Sequence, residues 1–388
     1  MERRKFLWAG AAVTAAGIAS AGSPAQAATA SKSVYDFGAT GDGSTDDSAA
    51  FSQALQYAAA NGQMILVPAA TYAVAKPIVF VSQNHAGRAW GLQCQGATIS
   101  SQITGGQDVM SLVSYHAVRY FQITGALSIA GSGQDGNGIH IYAPGGSQWF
   151  YNFLIEGTSV ENVGKSGLYV EGNSFESQVQ DCFFQDNNDG ASFANSNGGV
   201  VSAINIIGCY FNQNKRYGLQ TFDAQNVYGG PTDVRVWGGY CRQNGSYGFY
   251  YNNGSGGGGL EQVGFENNCT KLAPGDPNGA HVYSLVNMTM RNCTGYNEYG
   301  GATYLLRGWW TTLVTLDNCG QGAGGPMAST GKSRLVQVNG NGNGHVVMRA
   351  CAGGVDVIAG TGTTWSAQYC MGPSPLGNLN MKGVVGNA

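Results

Sequence analysis

Glycine recurs in this chain at positions 138, 167, 190, 218 and 248, each time opening a short run in which residues alternate in character. The steps are 29, 23, 28 and 30 residues, the length of one coil of a solenoid. A unit of that size cannot bury its apolar side alone and must stack on its neighbours. Second strands are predicted between the anchors at Val179–Phe184, Ile204–Phe211 and Val234–Cys241, and further on at Met288–Cys293, Val314–Cys319 and Val346–Cys351. Strand alternation then sorts the faces. One and three residues after each anchor stand Ile139/Ile141, Leu168/Val170, Ala191/Phe193, Leu219/Thr221 and Phe249/Tyr251, expected to point inward. Two residues after it stand His140, Tyr169, Ser192, Gln220 and Tyr250, and four after it Tyr142, Glu171, Ala194, Phe222 and Asn252, expected to point outward. With coils about 4.8 Å apart, these columns form a shallow ladder of aromatic, amide and hydroxyl groups. Such a ladder suits an extended, hydroxyl-rich polymer, with ring faces against sugars and amides on hydroxyls. The Asn runs, 187–188, 212, 214, 252–253, 267–268, 339, 341 and 343, read as turn residues in left-handed conformations.

The segment Ser33–Phe51, SVYDFGATGDGSTDDSAAF, followed by Ile65–Phe80, ILVPAATYAVAKPIVF, names a scaffold. A strand is predicted at Val34–Phe37, then a glycine-rich turn, then a helix started by Asp46 or Asp47. That helix runs to Ala60 with Phe51, Leu55 and Ala58 on one face, and Asn61-Gly62 ends it. A β-helix leaves its ends open, and this helix is the natural lid. The segment resembles the entry of the pectate-lyase superfamily, with its rhamnogalacturonase-like, epimerase-like and tailspike members. The resemblance implies an all-β, single-stranded right-handed parallel β-helix with an N-terminal capping helix. Ala70 stands where those relatives carry glycine before the tyrosine.

Residues 1–27 read as an export signal. Glu2-Arg3-Arg4-Lys5-Phe6-Leu7 resembles the twin-arginine motif, an Ala/Gly-rich core follows, and Ala25-Gln26-Ala27 offers a cleavage site. The β-helix domain is expected over 31–372 and a polar tail over 373–388, in the periplasm or outside the cell. Loss of Arg3, Arg4, Lys5 and Glu2 turns 19 basic and 22 acidic groups into 16 and 21, a net charge of −5, which excludes nucleic acid as a partner. Only 11% of residues are charged, against roughly a quarter in ordinary domains. Nine cysteines fall into no close pairs, and Cys182, Cys209, Cys293, Cys319 and Cys351 recur in one setting, predicting an internal stack of thiols.

Chemistry is sparse. Hydrolysis of a glycoside asks for two carboxylates about 5–10 Å apart. Asn187-Asn188-Asp189-Gly190 resembles the first motif of the polygalacturonase branch, but the next coils read Lys215-Arg216-Tyr217-Gly218 and Ser246-Tyr247-Gly248, without the paired aspartates or the histidine. Elimination from a uronate asks instead for a cation on the carboxylate and a base for the adjacent proton. Lys165 and Arg216 occupy the same point of their coils, with Asn188 and Asp189 between, as a candidate uronate clamp. His140 beside Tyr169, with Tyr142 beside Glu171, is the candidate proton relay. The candidate catalytic set is therefore His140, Lys165, Tyr169, Glu171, Asp189 and Arg216. The candidate substrate-binding set is Tyr142, Ser192, Gln220, Phe222, Asp223, Tyr250 and Asn252. Calcium, used by lyases of this resemblance, would find Asp186 and Asp189; no CxxC suggests zinc. The reading is an exported lyase-like enzyme on an acidic polysaccharide. A hydrolase using Glu171, Asp189 or Asp223, and a non-catalytic polysaccharide binder, are its alternatives.

Overall fold

The computed structural model describes residues 32–368, apart from 83–86, 226–228, 252–257, 273–278, 285–287, 297–301, 308–312, 322–333, 340–344, 352–353 and 359–363. The chain winds as a parallel β-helix. Among the described residues, eleven strands stack into one sheet and 23 into another, every strand pairing parallel.

Each central coil visits three walls. A long strand such as Ser174–Gln180 or Val201–Ile207 leads to a short one, Phe183–Gln185 or Tyr210–Asn212, and then to a third, Asp189–Asn195 or Leu219–Asp223. The single second strands expected from sequence are thus two each, Val179–Phe184 being divided at Asp181. The bend is made by a residue with positive φ, Asp181 (50°) in one coil and Gly208 (62°) in the next, which breaks the pleat. A second bend follows the short strand at Asp186, Gln213, Gln243 and Asn267.

The anchor glycines come into register as expected: Leu168 pairs with Ile139 and Ala191, and Ala191 with Leu219. Their reason is proximity, not a left-handed backbone. A methyl on Gly190 would lie 2.3 Å from the Gly218 carbonyl oxygen, and one on Gly218 2.5 Å from that of Gly248. Only a residue without Cβ admits the next coil this closely.

The bore is apolar, with Ile139, Ile141, Leu168, Val170, Phe193, Leu219 and Phe249 fully buried. The cysteine stack is present in two pieces: Cys182 and Cys209 on adjacent coils, then Cys293, Cys319 and Cys351, all buried and unbridged. Gly239 and Val263 fill the coils between.

Of the asparagines expected to be left-handed, Asn267 alone among the described residues is so; Asn188 lies in a bend without positive φ, Asn212 and Asn339 end strands, and Asn252, Asn253, Asn341 and Asn343 lie outside the described residues. Asn187, Asn214 and Asn268, with Asn244, are buried in the bore rather than held left-handed. Each side-chain oxygen accepts the backbone N–H one coil back, as from Asn214 to Asn244 at 3.1 Å. Each amide donates to a carbonyl of the preceding coil, as Asn214 does to Phe184 at 3.1 Å. The left-handed residue is the one just before, Asn267 among them.

At the N-terminus, Val34–Phe37 is a 3-10 turn rather than a strand, because Asp36 accepts from the Ser33 N–H at 2.7 Å and Gly38 closes it with φ 93°. Helix α1, Ser48–Asn61, buries Phe51, Leu55 and Ala58 against the first coils and ends at left-handed Gly62. Asp47 is the N-cap residue, its carbonyl accepting from the Phe51 N–H at 3.1 Å, while the side chain that reaches the first turn is that of Asp46, accepting from the Ser48 N–H at 3.1 Å. Asp47 is buried and holds the preceding turn through Thr40 and Gly41.

Truncating a ladder amide strands buried backbone donors and acceptors. Asn214→Ala should lower unfolding free energy by about 3 kcal/mol, and Asn188→Ala, half exposed in the next turn, by less than about 0.5 kcal/mol; urea titration measures both.

Candidate functional site

The third wall carries the candidate columns. His140, Tyr169, Ser192, Gln220 and Tyr250 are successive register partners, as are Tyr142, Glu171, Ala194 and Phe222; Asn252 lies outside the described residues. Tyr169 and Ser192 are therefore immediate neighbours on one wall.

His140 is the centre of a charged chain. Its Nδ1 meets Asp108 Oδ2 at 2.7 Å and its Nε2 meets Glu171 Oε1 at 3.1 Å. Both ring nitrogens face carboxylates, so both carry protons and the ring is an imidazolium. Burial opposes that charge, but the bonds from Asp108 and Glu171 outweigh it and push the histidine up to about 9. Burial likewise raises Asp108 and Glu171, and hydrogen bonding to His140 more than reverses it, leaving both below the usual carboxylate range. Tyr169 donates its hydroxyl to Glu171 Oε2 at 2.8 Å and stacks on His140 at 5.0 Å. Burial, then the Glu171 charge, holds its phenol proton far above the ordinary value. Glu171 thus bridges an acid on each side.

A second cluster lies one coil on. Arg216 grips Asp189 in fork fashion, Nε to Oδ1 at 2.8 Å and Nη2 to Oδ2 at 2.5 Å. Asp189 is 3% exposed and Arg216 46%, so the guanidinium faces outward over a buried carboxylate. The bond to Asp189 raises the arginine further. Gln220 spends its amide on Asp189 Oδ2 at 3.0 Å and Ser192 Oγ at 2.8 Å, and Ser192 bonds Ser166 at 2.8 Å.

Several expected contacts with substrate are therefore taken up internally. Ser192 and Gln220 are buried, because the small Ser192 and Ala194 let the flanking Tyr169 and Phe222 rings close over their coil, parallel within 3° and 6.3 Å apart. Tyr250 stacks on Tyr217 at 4.5 Å and on Tyr283 at 4.9 Å, so these rings turn their faces to one another and their edges outward. Tyr142 accepts a hydrogen bond from Asn197. Asp223 is buried and accepts from the Gln225 N–H.

Lys165 sits where expected, its carbonyl taking the Asn188 N–H and the Asn188 carbonyl taking the Arg216 N–H, but its exposed ammonium joins neither cluster. Asp186 is an exposed bend residue, and the Arg216 fork occupies both oxygens of Asp189, so the pair does not fit calcium. Among the described residues no group of three His, Cys, Asp or Glu has metal-holding geometry. Glu171 and Asp189 are five residues and one coil apart, about 17 Å, too far for a hydrolytic pair.

Asp108 escaped the sequence reading. It lies one coil before the first anchor, and its register position is the one just preceding the glycine, shared by Asn137, Ser166, Asp189, Tyr217 and Tyr247. Reading that third column would have found it.

The imidazolium has a raised pKa in the folded state, so its contribution to stability is complete below the unfolded value of 6.5 and is lost as pH rises through about 9. His140→Gln should cost on the order of 3 kcal/mol at pH 6, and the gap to wild type should narrow across pH 6.5–9, read from urea midpoints.

The family model described as rhamnogalacturonase A/epimerase, pectate lyase-like, matches residues 31–230. No curated protein matches the sequence. Among solved structures, the Streptococcus pneumoniae surface adhesin PfbA superposes with TM-score 0.60 at 14% identity, over 88% of this chain and 91% of the other. The A-module of the Azotobacter vinelandii mannuronan C-5 epimerase AlgE6 gives 0.55 at 16% identity, over 89% and 100%. The Geobacillus virus E2 protein ORF18 gives 0.51 at 17%, over 88% of this chain but only 60% of the virus protein. These likenesses are of fold. The family match, by contrast, spans more than half of the 388 residues and takes in the coils bearing His140, Glu171 and Asp189, and by it the chain belongs to the rhamnogalacturonase A/epimerase, pectate lyase-like family.

Proposed function

We propose that the protein is a polysaccharide-acting enzyme that cleaves an acidic polymer by β-elimination along the third wall, exported from the cytoplasm by its N-terminal signal. The observation that carries this reading is the bridge of Glu171 between His140 and Tyr169.

Elimination breaks the C–H bond beside a uronate carboxylate, forms a C=C bond and releases the neighbouring sugar oxygen, which needs a proton. Tyr169, whose proton is held tightly, is the donor to that oxygen. His140, once neutral, is the base. After one turnover the histidine holds the abstracted proton and the tyrosine lacks one. Glu171, bonded to both, returns it and resets the site. The outward Arg216 and the exposed Lys165 supply positive charge for the substrate carboxylates.

The separation of Glu171 from Asp189 and the Arg216 fork disfavour the hydrolase reading. The binding-only reading keeps one specific support: every charged group of the two clusters is already satisfied within the protein.

Incubation with polygalacturonate, mannuronan and neutral glycans separates the three. Elimination produces ultraviolet absorbance from an unsaturated sugar, hydrolysis produces reducing ends without it, and a binder produces neither. For elimination, kcat/KM should rise toward pH 9 as His140 becomes neutral, and Tyr169→Phe should lower kcat by about 10²-fold or more. A flat pH profile, or an unimpaired Tyr169→Phe enzyme, excludes the relay.

A further inference from the structure

A row of cations runs along the corner where the short wall turns into the third. Lys165, Asn188, Arg216 and Ser246 stand on four successive coils, each amide N–H donating to the carbonyl of the coil before, at 2.9, 2.8 and 2.7 Å. Lys215 and Gly245 hold the adjoining position, and the Lys271 N–H of the next coil donates to the Gly245 carbonyl at 3.1 Å. Cations therefore recur on every second coil: Lys165, then Lys215 with Arg216, then Lys271. The coils between carry the uncharged Asn188 and Gly245-Ser246. The step is about 10 Å and the whole row about 19 Å long. Beneath it the backbone is fixed by the buried ladder of Asn187, Asn214, Asn244 and Asn268.

The side chains keep that interval. Arg216 leans back one coil onto Asp189, and the Lys271 stem leans back one coil over Gly245, where a methyl would lie 3.0 Å from its Cε. Lys165, Lys215 and Lys271 are exposed and form no ion pair among the described residues. The acids of the corner are Asp189, buried under Arg216, and Asp186, exposed in the bend before Asn187; Glu161 and Glu266 lie beyond that bend on the short wall. Four cations against two carboxylates leave the corner at +2, on a chain that carries −5 outside its signal.

An extended ribbon of 1,4-linked uronates turns over at each sugar, so the carboxylates along one edge belong to every second unit, a span of the same order as the two-coil step. A positive row with that repeat attracts such a chain and sets its direction. From this spacing we infer that the corner from Lys165 to Lys271 is a binding ridge for an extended polyuronate, laid along the solenoid axis with carboxylates of alternate sugars on successive cation positions. The inference rests on the acidic polymer of the reading above but not on its chemistry, and it adds Lys215 and Lys271. Lys271 stands four coils from the relay residues Tyr169 and Glu171, about 19 Å along the axis.

Calorimetric titration of the full chain carrying Tyr169→Phe, so that the ligand stays intact, with mannuronan trimer and octamer tests it. The octamer should bind about tenfold more tightly than the trimer, because only the longer chain reaches from Lys165 to Lys271. Lys215→Gln and Lys271→Gln should each weaken octamer binding about threefold and together about tenfold, while Lys271→Arg retains it. Salt at about 0.5 M should remove most of the octamer's advantage. Both lysines are exposed, so the variants should keep the parent circular dichroism spectrum, and either single variant decides the matter if the double one does not. Equal affinity for trimer and octamer, or an unimpaired double variant, overturns the inference. Inorganic polyphosphate bound as tightly as the octamer, with the same loss in the double variant, overturns it too, since such a row reads charge without sugar spacing. Tyr169-containing protein separates this inference from elimination. Unsaturated product together with an octamer affinity indifferent to both lysines keeps elimination and removes the ridge; lysine-dependent octamer binding without unsaturated product keeps the ridge and removes elimination.

Discussion

Backbone hydrogen bonding from coil to coil is the constraint on which the rest of this molecule depends. It places residues 23 to 30 apart in sequence side by side, and it tolerates so little slack that the anchor positions must lack a Cβ. Register once set at Gly167, Gly190 and Gly218 propagates along both walls that flank them. The Asn187–Asn214–Asn244–Asn268 ladder locks the corner between those walls, because each amide closes a turn of its own coil onto its neighbours.

Charge on the third wall follows from that register. With few ionisable groups in the chain, those of the two clusters find their partners on neighbouring coils rather than in solvent. Asp108, His140 and Glu171 come from three successive coils, and the imidazolium exists only because both carboxylates reach it from opposite sides. Asp189 and Arg216 make a second, independent unit. The small residues of the intervening coil are as consequential as the charged ones. Ser192 and Ala194 allow Tyr169 and Phe222 to close over them, which sequesters Gln220's neighbours and gives Glu171 its low-dielectric setting.

Much of this was legible beforehand. The pairing of His140 with Tyr169 and of Tyr142 with Glu171 follows from counting past each glycine, and the coordinates bear it out. What counting missed has a common cause. Alternation tells which side of a strand a residue leaves, not what then covers it, so Ser192, Gln220 and Asp223 were expected on the surface and are buried. Nor does it tell how rings turn, so Tyr250 was expected to show a face and shows an edge. Asp108 was overlooked because it precedes the first anchor, and the ladder asparagines because a turn residue and a buried amide look alike in sequence.

By itself, then, the sequence determined the solenoid, its period and the membership of its columns, since period and register are properties of a one-dimensional repeat whose contacts are all with the next copy. Tertiary structure alone decided which columns meet water and which protons are held. Burial and ionisation depend on the size and reach of side chains from coils above and below, as with Glu171 between His140 and Tyr169, and no count of residues along the chain contains that distance.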